Sequence, residues 1–151
     1  MIKIICLGKI KEKYLIDGIE EYKKRISKFH QLEIIELPDE GMDDIKVSLK
    51  KEKDKILKVL NPKDYIITLE IEGKEETSLS FAKKLDEIFI NNSNITFIIG
   101  GSYGLADEIK ELSSYKLSFS KMTFPHQLFR LILLEQIYRA FKINNNEEYH
   151  K

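Results

Sequence analysis

The sequence predicts an α/β fold, a mostly parallel sheet flanked by helices, as one domain over residues 1–151. Three observations carry this. Short apolar, β-branched runs alternate with stretches whose apolar residues recur at helical spacing, the pattern of strand–helix–strand units. The run Ile95–Ile99 reads as continuously apolar, as a central parallel strand buried on both faces would. No repeat, low-complexity segment or Gly/Pro/Ser-rich linker divides the chain.

Residues 1–7 are apolar and stop at Gly8, which reads as the first strand. Leu15, Ile19, Tyr22, Ile26 and Phe29 then recur at helical spacing among charged residues, an amphipathic helix. Leu32–Leu37 reads as the second strand, stopped by Pro38, with a polar loop over residues 39–44. Residues 45–60 form a charged helix closed by Asn61-Pro62. Its Lys46, Lys50, Lys51, Lys53, Lys55 and Lys58, offset by Glu52 and Asp54, read as a solvated helix face. Residues 65–71 are the third strand, ending before Gly73. Ser78 is the expected N-cap of the next helix, with Leu79, Ala82, Leu85 and Phe89 on its inner face. After a turn at 91–94 comes Ile95–Ile99, then Gly100-Gly101-Ser102-Tyr103-Gly104 and a short helix to Leu112. Residues 115–119 are the last strand, and Pro125 opens a long helix to about Phe141.

Composition narrows the function classes. A hydrophobic fraction of 42% and a charged fraction of 33% suit a soluble globular protein and argue against disorder. Lys+Arg and Asp+Glu balance at 25 each, so generic charge-driven nucleic-acid binding is not expected. Any RNA contact must rest on local basic surface and shape. Cys6, the one cysteine, reads as a small buried hydrophobe. No signal-like start and no apolar stretch of about 18 residues is present, which leads to the expectation of a cytoplasmic protein away from membranes. His30, His126 and His150 are far apart in sequence, and no metal site is expected.

In open parallel sheets, ligands bind beyond the carboxyl ends of the strands. Three such ends draw notice: Leu69 with the loop to Gly73, the turn at 100–104, and residues 119–124. The glycines at 100, 101 and 104 let backbone approach a ligand, although they match neither a dinucleotide fingerprint nor a Walker A loop. A tight strand-to-helix turn is the alternative. Leu117-Ser118-Phe119-Ser120-Lys121-Met122-Thr123-Phe124-Pro125-His126 mixes hydroxyls with large apolar groups before a helix. It can wrap an adenine between apolar walls or be an ordinary loop. The helix that follows is apolar almost all round, so it is expected to be buried on two sides, the second being another subunit or the core of a monomer. Glu135 and Arg139 can pair at i, i+4. Arg130 has no acidic partner one turn away and is a candidate substrate contact. The ending Tyr149-His150-Lys151 offers a stacking ring, a titratable base and a phosphate partner, or a frayed end.

Taken together, the run Phe97-Ile98-Ile99-Gly100-Gly101-Ser102-Tyr103-Gly104, the run 117–127, Arg130, Leu134-Glu135-Gln136-Ile137-Tyr138-Arg139-Ala140 and Tyr149-His150-Lys151 closely resemble one family. It is the ribosomal RNA large subunit methyltransferase H family, of the SPOUT class. The likeness continues through Gly8-Lys9-Ile10-Lys11, Glu21-Tyr22, Lys24-Arg25, Glu36-Leu37-Pro38-Asp39 and Leu69-Glu70-Ile71-Glu72-Gly73-Lys74. It departs at Asn146, where the family usually has Gly, at Glu148, often Pro or a small residue, and at Glu70, usually Asp.

The resemblance implies a C-terminal deep trefoil knot, a homodimer, and S-adenosylmethionine held by Leu69, Gly100, Gly101, Phe119, Ser120, Lys121, Met122, Thr123 and Phe124. It implies methylation of N3 of a pseudouridine in large-subunit rRNA within the assembled ribosome. The tail Tyr149, His150 and Lys151 then faces substrate, with His126, Arg130 and Arg139 nearby. His150 is the expected general base, since histidine titrates near neutrality. Tyr149 is expected to stack the target base, and Lys151 or Arg130 to hold a phosphate. A tRNA substrate, or an RNA-binding module without catalysis, are the rival expectations.

Overall fold

The computed structural model describes residues 1–41 and 43–151; the expected 39–44 loop includes Met42, which lies outside them. Strands and helices alternate as β1 (Ile2–Leu7), α1 (Lys13–Ile26), β2 (Leu32–Leu37), α2 (Ile45–Val59), β3 (Tyr65–Glu75), α3 (Ser78–Asn91), β4 (Ile95–Ile99), α4 (Asp107–Glu111), β5 (Tyr115–Ser118) and α5 (His126–Asn144). The strands form one sheet in the order β2-β1-β4-β3-β5, parallel at every junction.

Strand alternation divides the core in two. Ile2, Ile4 and Cys6 of β1, Ile67 of β3, and Ile95, Phe97 and Ile99 of β4 face α1, α3 and α5. Ile5, Ile66 and Ile98 face the opposite, smaller core, closed by Ile56 of α2 and Ile109 of α4. The crossovers β1→β2 and β3→β4 step one way along the sheet, while β2→β3 and β4→β5 step the other. Right-handed connections therefore place α1 and α3 on one face and α2 and α4 on the other. Helix α5 packs against both α1 and α3. Leu131 lies where a side chain on Gly18 of α1 would stand, 3.0 Å from that Cβ position. Part of the apolar surface that the sequence assigns to a second subunit or a monomer core is thus covered within one chain.

Several details differ from the sequence expectation. The N-cap of α3 is Thr77, not Ser78: its hydroxyl accepts from the Ser80 N–H at 3.0 Å, and the Ser80 hydroxyl accepts from the Thr77 N–H at 2.8 Å. A reciprocal pair of this kind satisfies two donors that a helix start leaves free. The buried stripe of α3 is Phe81, Ala82, Leu85 and Ile88; Leu79 falls outside it and is 58% exposed. Within α2, Glu52 is only 3% exposed, so the charged helix is not simply a solvated face. Strand β3 runs to Glu75 because it bulges against β5: Leu117 pairs with both Leu69 and Lys74. Gly73 sits at this bulge, where a Cβ would stand 2.8 Å from the backbone of Lys116 and Leu117, so only glycine fits. Strand β5 stops at Ser118, and α5 begins after Pro125 and continues to Asn144. No helix among the described residues is long and apolar enough to cross a membrane.

Candidate functional site

The carboxyl ends of β3, β4 and β5 open on one cleft. Leu69, Ile71, Leu117, Phe119, Phe124 and Phe129 supply apolar walls. Hydroxyls of Ser118, Ser120 and Thr123, with the carboxylate of Glu70, supply polar points. The β3 bulge delivers Glu70 and Ile71 to the lining, and the Thr68 hydroxyl donates to Glu70 Oε2 at 2.6 Å.

The rim beyond β4 is a glycine turn. Gly101 and Gly104 form an antiparallel bridge, and the Gly104 N–H donates to the Gly101 carbonyl at 3.1 Å. Gly104 has φ +78°, a conformation L side chains rarely adopt, and a Cβ on Gly100 would stand 2.6 Å from the Gly104 carbonyl. At Gly101, by contrast, a Cβ meets only ordinary contacts, at 3.5 Å and beyond. The turn after β5 is braced by its own serines. Ser118 Oγ donates to the Ser120 carbonyl at 3.1 Å, and Ser120 Oγ accepts from the Met122 N–H at 3.0 Å. Edge-to-face contact between Phe119 and Phe129, 4.9 Å between ring centres, ties this turn to the first turns of α5.

Leu69, Gly100, Gly101, Phe119, Ser120, Met122, Thr123, Phe124 and His126 therefore come together on one cleft. Lys121 belongs to the same turn but is exposed and does not line it. Glu70 and Ile71 lie in the segment 69–73 and Leu117 in the 117–126 stretch that the sequence singles out, although none of the three is among the residues expected to hold the cofactor; Phe129 is the lining residue that the sequence reading places only on an apolar helix.

Arg130 has the acidic partner that helix spacing could not reveal. Its guanidinium, 2% exposed, donates to Glu36 Oε2 at 2.5 Å and to the Gly8 carbonyl at 3.1 Å, joining α5 to the ends of β1 and β2. The C-terminal tail is ordered against the far part of α5. Arg139 donates through Nε and Nη2 to Glu135 Oε1, at 3.0 and 2.6 Å, and through Nη1 to His150 Nδ1 at 3.0 Å. Tyr149 donates to the same Glu135 oxygen at 3.0 Å and meets Tyr138 edge to face at 4.9 Å. Burial, with Tyr22 and Glu135 as partners, raises the Tyr149 phenol above its ordinary range. Asn146 turns the chain into the tail at φ 55°, which asparagine tolerates better than most residues. Lys151 is exposed, and Lys151, Tyr149, His150 and Arg139 do not line the cleft. Glu135 and Arg139 follow His126 by nine and thirteen residues on α5, about 14 to 20 Å along its axis.

Among the described residues no group of three or more His, Cys, Asp or Glu could hold a metal ion.

Several proteins are similar to this chain over nearly all of its length. Residues 1–150 match the family model described as "Predicted SPOUT methyltransferase". The ribosomal RNA large subunit methyltransferase H of Clostridioides difficile (strain 630) is 52% identical, with 99% of each chain covered. The protein of that name in Clostridium perfringens (strain ATCC 13124) is 50% identical over the same shares. Among solved structures, one described as a probable methylase family protein from Haemophilus influenzae Rd KW20 superposes with TM-score 0.59 at 15% identity, covering 99% of this chain and 70% of that one. A tRNA methyltransferase of Aquifex aeolicus gives 0.52 at 14% identity, over 91% and 69%. These two likenesses speak to the fold. The full-length family match and the half-identical relatives establish that the chain belongs to the SPOUT methyltransferase family, alongside the ribosomal RNA large subunit methyltransferase H proteins.

Proposed function

We propose that the chain is an S-adenosylmethionine-dependent methyltransferase that modifies N3 of a pseudouridine in large-subunit rRNA, acting as a homodimer on the assembled ribosome. The observation that carries the reading is the cleft: apolar walls and a glycine turn at the carboxyl ends of β3, β4 and β5, in a chain half identical to named rRNA methyltransferases. The donor set fits the cofactor. Phe119, Phe124, Leu69 and Leu117 suit an adenine face, the 118–123 hydroxyls its polar edge, and the absence of a side chain on Gly100 lets the Gly104 backbone close the turn at the rim. When bound, S-adenosylmethionine supplies an activated methyl group, so the chain's own contribution is mainly alignment and exclusion of water.

The deep trefoil knot, with the chain from residue 119 onward as the threaded segment, belongs to the same reading. So does the dimer. Half-buried Leu128, Leu131 and Ile132 leave apolar surface on α5 for a second copy. Within one chain the tail and the cleft lie near opposite ends of that helix. A two-fold partner brings the tail of one protomer to the cleft of the other. Mixing a Gly100→Ala chain with a His150→Ala chain then restores part of the activity each lacks; no recovery places tail and cleft in one protomer.

The tail's hydrogen bonds constrain its proton chemistry. Arg139 can only donate, so His150 Nδ1 is the acceptor and the neutral ring carries its proton on Nε2. For His150 to take the N3 proton, Nδ1 must leave Arg139 and turn to the substrate. The Arg139 guanidinium lies over the Tyr149 ring, 4.7 Å from its centre, so Tyr149 can stack the target base on its other face or by leaving Arg139. Lys151, exposed at the end, is free to meet a phosphate, while Arg130 acts on substrate through the Gly8 and Glu36 segment that it holds. A His150→Ala protein that keeps full turnover across about pH 6–9 would sink the base assignment. Cofactor titration by calorimetry tests the reading as a whole: micromolar-range binding supports it, and no heat leaves an RNA-binding module.

A further inference from the structure

We propose that Tyr138, clamped from α1 by Arg25, is a positioning residue of the C-terminal tail: its ring seats Tyr149 and so fixes where His150 stands. The proposal rests on the reading of that tail as the part of the chain that faces substrate.

Tyr138 is half-buried on α5 and is the hub of a set of rings and cations that joins α1, α5 and the tail. Tyr22 of α1 meets it edge to face, with 5.9 Å between ring centres, and Phe29, just beyond α1, does so at 6.2 Å. The Arg25 guanidinium stands over both tyrosines, 5.1 Å from the centre of the Tyr22 ring and 5.6 Å from that of Tyr138. The Lys142 ammonium lies 5.9 Å from the Tyr138 ring centre. An aromatic face is negative and its edge positive, so cations and ring edges are both drawn to it. Each cation also has its own carboxylate: Glu21 for Arg25, Glu147 for Lys142 and Glu135 for Arg139. What joins the three cations is the tyrosine rings.

The tail reaches this hub at Tyr149, whose ring stands at 79° to that of Tyr138, 4.9 Å between centres. The Tyr149 hydroxyl is fixed by Glu135 Oε1, and the Arg139 guanidinium lies over its ring. Those contacts hold one end and one face of the phenol; the perpendicular Tyr138 ring sets its tilt. His150 follows directly, with Nδ1 accepting from Arg139, so a tilted Tyr149 carries His150 away from Arg139. With Tyr149 seated, the imidazole can turn from Arg139 to substrate about its own side-chain bonds while the tail stays on α5. Tyr22, Arg25 and Tyr138 do not line the cofactor cleft, so the seat can be altered without touching it.

The test combines nitrogen-15 relaxation of the Tyr149 and His150 amides, calorimetric binding of S-adenosylmethionine, and methyl transfer to undermethylated ribosomes. In the unaltered chain both amides are expected near the rigid order parameter of about 0.85. Tyr138→Leu keeps an apolar side chain and removes the ring. It is expected to drop them below about 0.6 and to lower kcat about tenfold, the scale of one ring pair, with cofactor affinity unchanged. Tyr138→Phe is expected to recover most of both. Arg25→Ala, at a half-buried position, is expected to lower kcat about threefold, and Arg25→Lys to restore it; if Tyr138→Leu does not fold, this pair decides alone. Rigid amides in both Tyr138→Leu and Arg25→Ala overturn the proposal, as does cofactor binding lost together with tail order. A chain lacking residues 149–151 that keeps full turnover removes the tail reading and the proposal together. Turnover lost in that chain and kept in Tyr138→Leu removes the proposal alone.

Discussion

Single residues in this chain are set by what encloses them. Cys6 is buried on β1, its thiol 3.5 Å from the Ile35 carbonyl of the neighbouring β2, and burial pushes that thiol up to about 12, which keeps it an inert core residue. His30 stacks on Phe89 at 4.4 Å and on Phe141 at 6.0 Å, and burial lowers its pKa. Its protonation is disfavoured in the folded chain, so the unfolded chain binds the extra proton first. Stability is then complete above the unfolded value of about 6.5 and declines as pH falls through it. His30→Phe is expected to flatten that acid limb in melting curves; an unchanged limb would assign it to other groups. Arg130 is the residue whose role shifted most. The sequence offered it as a free cation for substrate, because Glu36 lies 94 positions away and no periodicity connects them. Removing it leaves the Gly8 carbonyl unpaired and a gap where a 2% exposed side chain stood, although the exposed Glu36 can turn to solvent, so Arg130→Ala is expected to cost about 2 kcal/mol in denaturant unfolding. Arg130→Lys is expected to recover little, since one ammonium cannot reproduce two prongs. Wild-type stability in Arg130→Ala would mean that the pair only decorates the surface.

At the scale of elements, legibility follows the range of the interactions. Strands such as Leu32–Leu37 and Ile95–Ile99 were readable to the residue because local composition and flanking breakers define them. The extension of β3 to Glu75 was not, because it depends on a bulge imposed by β5. The cleft was legible through its turns, at 100–104 and 118–124, and through the segment from Leu69 to Gly73, while the way Glu70 and Ile71 reach its lining depends on the same bulge. Glu52 was hidden in a lysine-rich helix whose average character is solvated; only the packed loops mark it as different. The glycine turn yields a sharp contrast between neighbours. Gly100→Ala forces a Cβ into the Gly104 backbone and is expected to abolish cofactor binding by calorimetry. Gly101→Ala meets only ordinary contacts and is expected to change affinity about threefold or less, within the effect of a minor repacking. Equal losses in both would show that the turn rearranges on binding.

At the scale of the whole molecule, the parallel sheet assembles a cleft at one end of α5 and an ordered tail near the other. The sequence pointed to a second subunit through an all-round apolar helix. The fold shows that α1 and α3 cover part of that surface, which shifts the weight of the dimer proposal to the separation of tail and cleft. The neutral balance of 25 basic and 25 acidic residues fits a substrate whose large folded surface supplies much of the recognition, rather than naked RNA held by charge. The most direct measurement is methyl transfer from labelled S-adenosylmethionine to undermethylated whole ribosomes, free large subunits and naked rRNA, with the modified nucleoside identified. Label on the large-subunit rRNA of whole ribosomes, recovered as N3-methylpseudouridine, is the predicted result. Absence of label on all three substrates, from a protein that binds the cofactor, would contradict it.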